Sequence, residues 1–174
     1  SGWEEQVEPT LNSILGQIAN LSEVADAFSS FSRFYNEEVV DVNLNAAISE
    51  QVFFFDTNDD ITIEIRNNVP DPVVSARRQQ LSRVFVNILQ NAIESIQNAR
   101  GTGEILVTID AVDREEGRYY KVDFEDDGLG VAEEHLERLF NPNFTTKSGG
   151  TGLGLAICRN IIEQSQGMIS YSRS

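Results

Sequence analysis

The strongest periodic pattern in the chain covers residues 78–99 and predicts a long amphipathic helix. Its apolar side consists of Val84, Phe85, Ile88, Leu89, Ala92, Ile93 and Ile96. On the polar side, Asn87, Asn91 and Glu94 recur at i, i+4 and i+7, so their side chains share one face. Amide oxygens in this arrangement suit Mg²⁺, which keeps several waters and takes few protein ligands. The same pattern is equally typical of the solvent-facing side of a surface helix.

Shorter patterns predict the remaining elements. Further helices are predicted at 45–54 and from Leu153 onward, and strands at 61–66, 104–112, 119–125 and 168–171. Helices on one face of a mixed sheet form an α/β fold, specifically a two-layer α/β sandwich.

The amino-terminal segment, residues 1–36, has a different pattern. Apolar residues alternate there by four and three, at Val7, Leu11, Ile14, Ile18, Leu21, Ala25 and Phe28. This seven-residue repeat predicts a long helix with a narrow apolar seam for pairing with another helix. The alternative is a helix that folds back on its own domain. Residues 36–42 are interpreted as the junction to the domain that follows.

An acidic turn follows the strand predicted at 119–125. Its residues are Asp126, Asp127, Gly128, Leu129 and Gly130. A carboxylate held at a strand end can accept a hydrogen bond from an exocyclic amine such as that of adenine, and glycines beside it leave room for a flat ring. Seen alone, the stretch is also compatible with a plain Asp-Gly turn.

A glycine-rich stretch opens the last predicted helix. It reads Gly150-Thr151-Gly152-Leu153-Gly154-Leu155 and matches neither the dinucleotide fingerprint nor the P-loop signature. Glycines let the backbone approach an anion closely, and a helix N-terminus supplies free N–H groups. An ordinary glycine-rich loop is the alternative for this stretch alone. The asparagine helix, the acidic turn and the glycine stretch, in this order, predict a nucleotide site.

These three stretches resemble the N, G1 and G2 boxes of the Bergerat-fold (GHKL) ATP-binding domain, most closely that of two-component sensor histidine kinases. Phe140-Asn141-Pro142-Asn143-Phe144-Thr145-Thr146-Lys147 is similar to the F box and the Thr-Thr-Lys of the family's ATP lid. The combination of Asn-Ala-Ile-Glu with Thr-Thr-Lys looks closest to the nitrogen-regulation type.

The resemblance implies a role for each matching position, with ATP and Mg²⁺ as cofactors. Asn91 should coordinate Mg²⁺, with Asn87 supporting the site, and Asp126 should bind the adenine amino group. Lys147 should reach the terminal phosphates. The remaining ATP-binding positions are the pocket residues Gly128 and Gly130, the lid residues Phe140 and Thr146, and the hinge residues Gly150, Thr151, Gly152, Leu153, Gly154 and Leu155.

Two positions depart from the family pattern. Many sensor kinases carry a phosphate-binding Lys or Arg three residues after the metal asparagine, where this chain has Glu94. We interpret Glu94 as a solvent-facing residue. Asn143 stands where an aromatic residue is usual, which predicts looser packing of the lid.

The function implied is that of a protein-histidine kinase domain, which presents Mg-ATP for γ-phosphoryl transfer to a histidine and onward to a response-regulator aspartate. Residues 1–36 resemble part of the dimerisation and histidine-phosphotransfer hairpin, and residues 37–174 resemble the catalytic domain. The resemblance implies that this catalytic domain lacks its last strand. His135, the single histidine, follows the acidic turn and is interpreted as a solvated helix residue. The chain is therefore expected to bind Mg-ATP without phosphorylating itself. The expected partners are a second copy, through the amino-terminal helix, and a receiver domain.

Two other functions stay open at this stage. A GHKL-type ATPase needs a glutamate one turn before the metal asparagine as general base, and Asn87 cannot take a proton. A catalytically silent dimerisation module would bind no nucleotide, which the matching positions of all three boxes disfavour.

Composition agrees with a cytoplasmic catalytic domain. The net charge of −15 disfavours nucleic acid as a partner, because the chain would repel phosphates. No apolar run approaches the ~20 residues of a membrane span, and no signal peptide is evident, which predicts no membrane contact. Cys158, the single cysteine, is consistent with a reducing compartment. Family analogy places the parent protein in the bacterial inner membrane with this part facing the cytoplasm.

Overall fold

The computed structural model describes residues 37–55, 60–115, 117–147 and 150–173. The elements in chain order are β1 (Val40–Asn43), α1 (Leu44–Phe55), β2 (Ile61–Asn67), β3 (Val73–Ala76), α2 (Arg78–Ala99), β4 (Gly103–Arg114), β5 (Gly117–Asp126), a 3₁₀ helix (Glu133–Arg138) and α3 (Gly154–Gln164). The seamed helix predicted for residues 1–36, and with it the predicted domain boundary, lies outside the described residues.

The central sheet is mixed, as predicted. β2 pairs with β4 in parallel, with Ile61 opposite Gly103, and β4 pairs with β5 antiparallel, with Ile105 opposite Asp126. β1 and β3 form a separate antiparallel pair in which Val40 lies opposite Ala76. Because β5 runs antiparallel to β4, the acidic turn after β5 lies at the end of the sheet where β4 begins.

The core lies between the sheet and the helices. Alternate residues of β4, namely Ile105, Val107 and Ile109, are completely or almost completely buried. They belong to one cluster with Ile48 of α1, Leu89 and Ile96 of α2, and Cys158 and Ile161 of α3. Burial of this apolar surface is the main driving force for the two-layer arrangement.

Local sequence signals set the ends of the helices. Asn43 Oδ1 accepts a hydrogen bond from Ala46 N at 3.0 Å, so Asn43 caps the start of α1. α2 ends where Gly101, with φ of +81°, donates from its N–H to Ile96 O at 3.1 Å. Glycine is favoured at this position because the left-handed conformation costs it little.

Three sequence expectations are wrong in detail. β1 begins inside the predicted junction, and β3 was not predicted at all. Both strands are four residues long, and the pairing joins positions at least thirty residues apart, so neither leaves a strong local pattern. The strand predicted at 168–171 is not formed: these residues have no strand ladder with the other described residues.

Ile169 still packs against the core, so the apolar pattern at 168–171 indicates the packing of this residue correctly, although these residues form no strand with the other described residues. In the described part of the chain, no helix is both long enough and apolar enough to cross a membrane.

Candidate functional site

Asp126 ends β5 and begins the acidic turn. Its Oδ1 accepts a hydrogen bond from Gly128 N at 3.1 Å, which folds the turn back on the carboxylate. The residue is exposed. A carboxylate fixed by its own turn and open to solvent is available to accept a hydrogen bond from a ligand amine.

The neighbouring Asp127 has different surroundings. Its Oδ1 accepts from Glu104 N at 2.9 Å, and its Oδ2 forms an ion pair with Arg100 at the end of α2. A Cβ at Gly103 would lie 2.3 Å from Asp127 Oδ1, so glycine leaves the space that this carboxylate occupies. Asp127 therefore joins β4 to α2 through both of its carboxylate oxygens, although it is exposed like Asp126.

The acidic turn lies directly on α2. A Cβ at Gly128 would lie 2.2 Å from Ser95 Oγ and 2.6 Å from the Ser95 carbonyl carbon. Gly130, at φ of +65°, donates from its N–H to Ser95 Oγ at 3.4 Å. Sequence reasoning missed Ser95, although its position four residues after Asn91 on the polar face of α2 was a usable signal.

The lid lysine contacts the same face of α2. Lys147 Nζ donates to Asn91 Oδ1 at 2.6 Å and forms an ion pair with Glu94 Oε2. Glu94 faces solvent, as predicted, with 47% of its side chain exposed, and it also binds the lid lysine, which was not predicted. Its position three residues after Asn91 places both oxygens on one face of the helix, within reach of one ammonium group.

The Asn91 oxygen suits a small hard cation. An amide oxygen is a ligand that Mg²⁺ accepts, usually together with waters and substrate phosphates. Asn91 Oδ1 already accepts from a cationic group in this structure, so its lone pairs are directed at a position that a cation can reach. Among the described residues, no group of three or more His, Cys, Asp and Glu side chains forms a metal centre on protein ligands alone.

Asn87, a residue of α2, lies beside the first residue of α3. Its Nδ2 donates to Arg83 O at 3.2 Å, and a Cβ at Gly154 would lie 2.5 Å from its Oδ1. The absence of a side chain at Gly154 thus lets α3 begin directly against the asparagine face of α2. The structure brings Asn87 to the glycine hinge.

Two other hinge glycines are also required by close contacts. Gly152 has φ of +66°, and a Cβ there would lie 2.6 Å from the backbone of Asn143 and Phe144. At Gly150 the nearest atom would be Thr145 Oγ1, at 2.7 Å. The hydroxyl of Thr145 also accepts from Lys147 N at 3.0 Å. The glycine stretch is therefore folded against the segment that carries the lid lysine. Thr151, Leu153 and Leu155 are half-buried there, and Thr146 is exposed.

The two phenylalanines of the F box, Phe140 and Phe144, pack against different elements. Phe140 lies with Asn141 and Pro142 on a groove of about 200 Å³ whose other wall is α3, through Ala156, Arg159, Asn160 and Glu163. The structure thus places Phe140 at a groove that it shares with α3.

Phe144 packs against the 3₁₀ helix. Its ring centroid is 5.3 Å from that of His135, and the Arg138 guanidinium carbon lies 4.9 Å from its centroid. His135 lies in a helix, as predicted, but its side chain is only 30% exposed and packs against the Phe144 ring at a tilt of 59°, so it is only partly solvated. Asn143 has φ of +63°, a left-handed conformation that asparagine tolerates better than aromatic residues do.

The last described residues return to the acidic turn. Tyr171 Oη accepts from Val131 N at 3.1 Å and would lie 3.2 Å from a Cβ at Gly130. Tyr171 is a second residue that sequence reasoning missed, since it had been assigned only to a strand.

The chain is similar to known proteins over most of its length. The sequence family described as histidine kinase-, DNA gyrase B-, and HSP90-like ATPases matches residues 76–174. Nitrogen regulation protein NtrY of Azorhizobium caulinodans is 34% identical over 167 residues, which are 92% of this chain and 21% of NtrY. The chain therefore spans about a fifth of that relative.

Two solved structures extend the comparison. The nucleotide-free catalytic domain of the histidine kinase ThkA is 35% identical with a TM-score of 0.62, over 73% of this chain and 82% of that domain. The ThkA chain in a complex with response regulator protein TrrA is 28% identical with a TM-score of 0.64, over 98% of this chain and 48% of ThkA. These similarities confirm the fold class and the resemblance predicted from the three boxes.

Proposed function

The chain belongs to the family of histidine kinase-, DNA gyrase B-, and HSP90-like ATPases, and we propose that it presents Mg-ATP for γ-phosphoryl transfer to a histidine of a sensor kinase. One observation carries the proposal: the acidic turn and the lid lysine, distant in sequence, both contact the polar face of α2. Gly128 lies on Ser95 of this face, and Lys147 lies on Asn91.

The contacts described above support a role for each site residue. Asp126 accepts the hydrogen bond from the adenine amine, and Gly128 and Gly130 let the acidic turn pack closely against Ser95 and Tyr171. Asn91 would hold Mg²⁺, which would supply neutralisation of the phosphate charge. Asn87 supports the site by setting the start of α3 against α2. Lys147 leaves Asn91 to contact the terminal phosphates, and the hinge glycines 150, 152 and 154 permit that movement.

Positioning and charge neutralisation provide most of the catalysis in phosphoryl transfer. Here Asp126 and the backbone of the acidic turn orient the nucleotide, and Lys147 stabilises charge on its terminal oxygens. His135 is the single histidine in residues 1–174 and follows the acidic turn, so the nucleophilic histidine is a different residue, outside this sequence.

We also propose partners and a location. Because ThkA is seen in complex with a response regulator, we assign a receiver domain as the onward phosphate acceptor. From the sequence pattern, we assign residues 1–36 to the dimerising part of the phosphotransfer hairpin and residues 37–174 to the catalytic domain. This domain faces the cytoplasm, on a parent anchored in the inner membrane.

Isothermal titration with ADP and a non-hydrolysable ATP analogue, with and without Mg²⁺, tests the proposal. Wild type should bind both, with Mg²⁺ strengthening the triphosphate, and Asp126→Asn should abolish binding. Asp113→Asn, which removes an equal charge from the exposed end of β4, is the matched control and should bind like wild type. A folded wild-type chain that bound no nucleotide would contradict the proposal.

Hydrolysis distinguishes kinase-type from ATPase-type chemistry. Asn87 donates to a backbone carbonyl and faces a glycine, so no carboxylate stands at the position of the ATPase general base. Phosphate release from ATP should therefore stay near the uncatalysed background. Rapid turnover by this chain would favour the ATPase function.

A further inference from the structure

Glu94 and Asn91 together hold the lid lysine on α2. Lys147 Nζ lies 2.6 Å from Asn91 Oδ1 and in contact with Glu94 Oε2, so one ammonium group satisfies an amide oxygen and a carboxylate at once. The Lys147 side chain is 43% exposed and that of Glu94 47%, so the contact is on the surface and can open. Lys147 N is also anchored to Thr145 Oγ1, which fixes the backbone from which the side chain extends.

The lysine occupies the oxygen that magnesium requires. Asn91 Oδ1 cannot bind Mg²⁺ while it accepts from the ammonium group, because the two cations repel each other at such short range. The negative charge of Glu94 also weakens Mg-ATP binding in a second way. A carboxylate there attracts Lys147 and repels the nucleotide phosphates, whereas a basic residue at that position would attract them.

Given the proposed nucleotide site, on which this inference rests, the geometry points to Glu94 as a positioning residue that retains Lys147 on Asn91 in the nucleotide-free protein and so weakens the affinity for Mg-triphosphate. Binding of Mg-ATP exchanges one cation for another at Asn91 and transfers Lys147 from the Glu94 carboxylate to the phosphates. Glu94 thereby links the position of the lid to occupancy of the metal site.

Lysine reactivity measures the contact without any nucleotide. The chain has two lysines, Lys121 and Lys147, and cleavage after arginine places them in separate peptides, 119–138 and 139–159. Brief acetylation followed by mass spectrometry gives the ratio of Lys147 to Lys121 labelling, with Lys121 as internal reference. Lys121 pairs with Asp123 on β5, apart from position 94 in sequence and on another element.

Glu94→Gln should raise this labelling ratio about two- to fivefold, the range that surface ion pairs provide. Glu50→Gln is the matched control, because Glu50 is 51% exposed and pairs with Arg78 at 2.7 Å on a different part of the surface. It should leave the ratio unchanged. An unchanged ratio in Glu94→Gln would overturn the inference.

Nucleotide titration then tests the consequence. Glu94→Gln should bind a Mg-bound ATP analogue about two- to fivefold more tightly than wild type. In a Lys147→Met background the same substitution should have a clearly smaller effect, because no lysine is left to be retained. Equal tightening in both backgrounds would overturn the positioning role and reduce Glu94 to a repulsive charge.

The two arms separate this inference from the proposed function. If wild type bound no nucleotide, the proposed function would fail, and with it the effect of Glu94 on affinity. The labelling ratio would still decide whether Glu94 holds Lys147.

Discussion

Gly154 and Asn87 depend on each other where α3 begins against α2. The space that a side chain at 154 would need is taken by Asn87 Oδ1, at 2.5 Å from the Cβ position. Since Gly154 has an ordinary helical backbone, the obstacle to a larger residue is the neighbouring side chain and not the conformation. The cost of adding a methyl group there should therefore depend on what stands at 87.

Gly154→Ala should lower the free energy of unfolding by about 1–3 kcal/mol in the wild-type chain, through overpacking. In an Asn87→Ala background the same change should be neutral or stabilising by up to about 1 kcal/mol, because alanine is the better helix former. Urea unfolding of the four chains measures both values. An equal loss in both backgrounds would show that Asn87 is not the obstacle.

Cys158 is fully buried on α3, with its Sγ 4.0 Å from Val84 O. Burial raises the pKa of the Cys158 thiol to about 12, despite an opposing effect from Arg83. The native thiol should therefore stay protonated at pH values where the unfolded thiol, with its ordinary pKa of 9.0, ionises. The folded state holds this proton more tightly, so the associated stability is complete below pH 9 and is lost as the pH rises towards 12.

Ellman's reagent at pH 8 should thus react with Cys158 far more slowly in the native chain than in urea, because the thiolate is the reacting form. The stability lost between pH 9 and pH 12 should be smaller in Cys158→Ala than in wild type. Native reactivity equal to that of the unfolded chain would contradict the buried position.

At the scale of elements, α2 organises the site. Its 22 residues bury one face, including Leu89 and Ile96, while the opposite face contacts both the lid and the acidic turn. The packing of the buried face therefore fixes the direction of Asn91, Glu94 and Ser95 on the other.

Leu89→Ala should cost about 2–5 kcal/mol of unfolding free energy, as expected for a fully buried leucine. Gln90→Ala, at the adjacent exposed position, should stay within about 0.5 kcal/mol of wild type. Thermal or chemical unfolding followed by circular dichroism measures both. A small loss of unfolding free energy in Leu89→Ala would show that other residues contribute most of the stability of the core.

The sequence predicted α2 from its first residue to its last, because a 22-residue pattern with one consistent period leaves little choice of boundary. Strands β2, β4 and β5 were predicted within a few residues for a similar reason, since each alternates or is continuously apolar over several positions. By contrast, β1 and β3 depend on pairing between Asp41 and Ser75, which no local window contains.

The candidate site was predictable in its motifs and not in its contacts. Asp126, Asn91 and Lys147 could be named from three short stretches together with a family resemblance. That Lys147 would lie on Glu94, or that Ser95 would meet the acidic turn, depends on how the lid and the turn pack on α2. His135 illustrates the same limit, because the Phe144 ring that it packs against belongs to a different segment.

At the scale of the whole molecule, charge opposes the proposed ligand. The chain carries a net charge of −15, and a nucleotide is itself an anion. Long-range repulsion between them is screened by salt, whereas the contacts with Asp126 and the acidic turn are short-range.

The affinity for Mg-free ADP should therefore rise with ionic strength, on the order of twofold between 10 and 150 mM salt. Uncharged adenosine is the matched control ligand, and its affinity should change little over the same range. Calorimetry at several salt concentrations gives both trends. A weakening of ADP binding with salt would show that nearby cations outweigh the overall charge.

Tyr171 sets a limit on how far the domain can be shortened at its carboxyl end. Its hydroxyl accepts from Val131 N just beyond the acidic turn, so the carboxyl-terminal segment is tied to the proposed adenine site. A chain that ended at residue 170 would keep every residue predicted to bind the nucleotide, but it would lose the hydrogen bond between Val131 and Tyr171. Trimming this domain for crystallisation should therefore preserve Tyr171, and the end of the last glycine motif is not a safe place to stop.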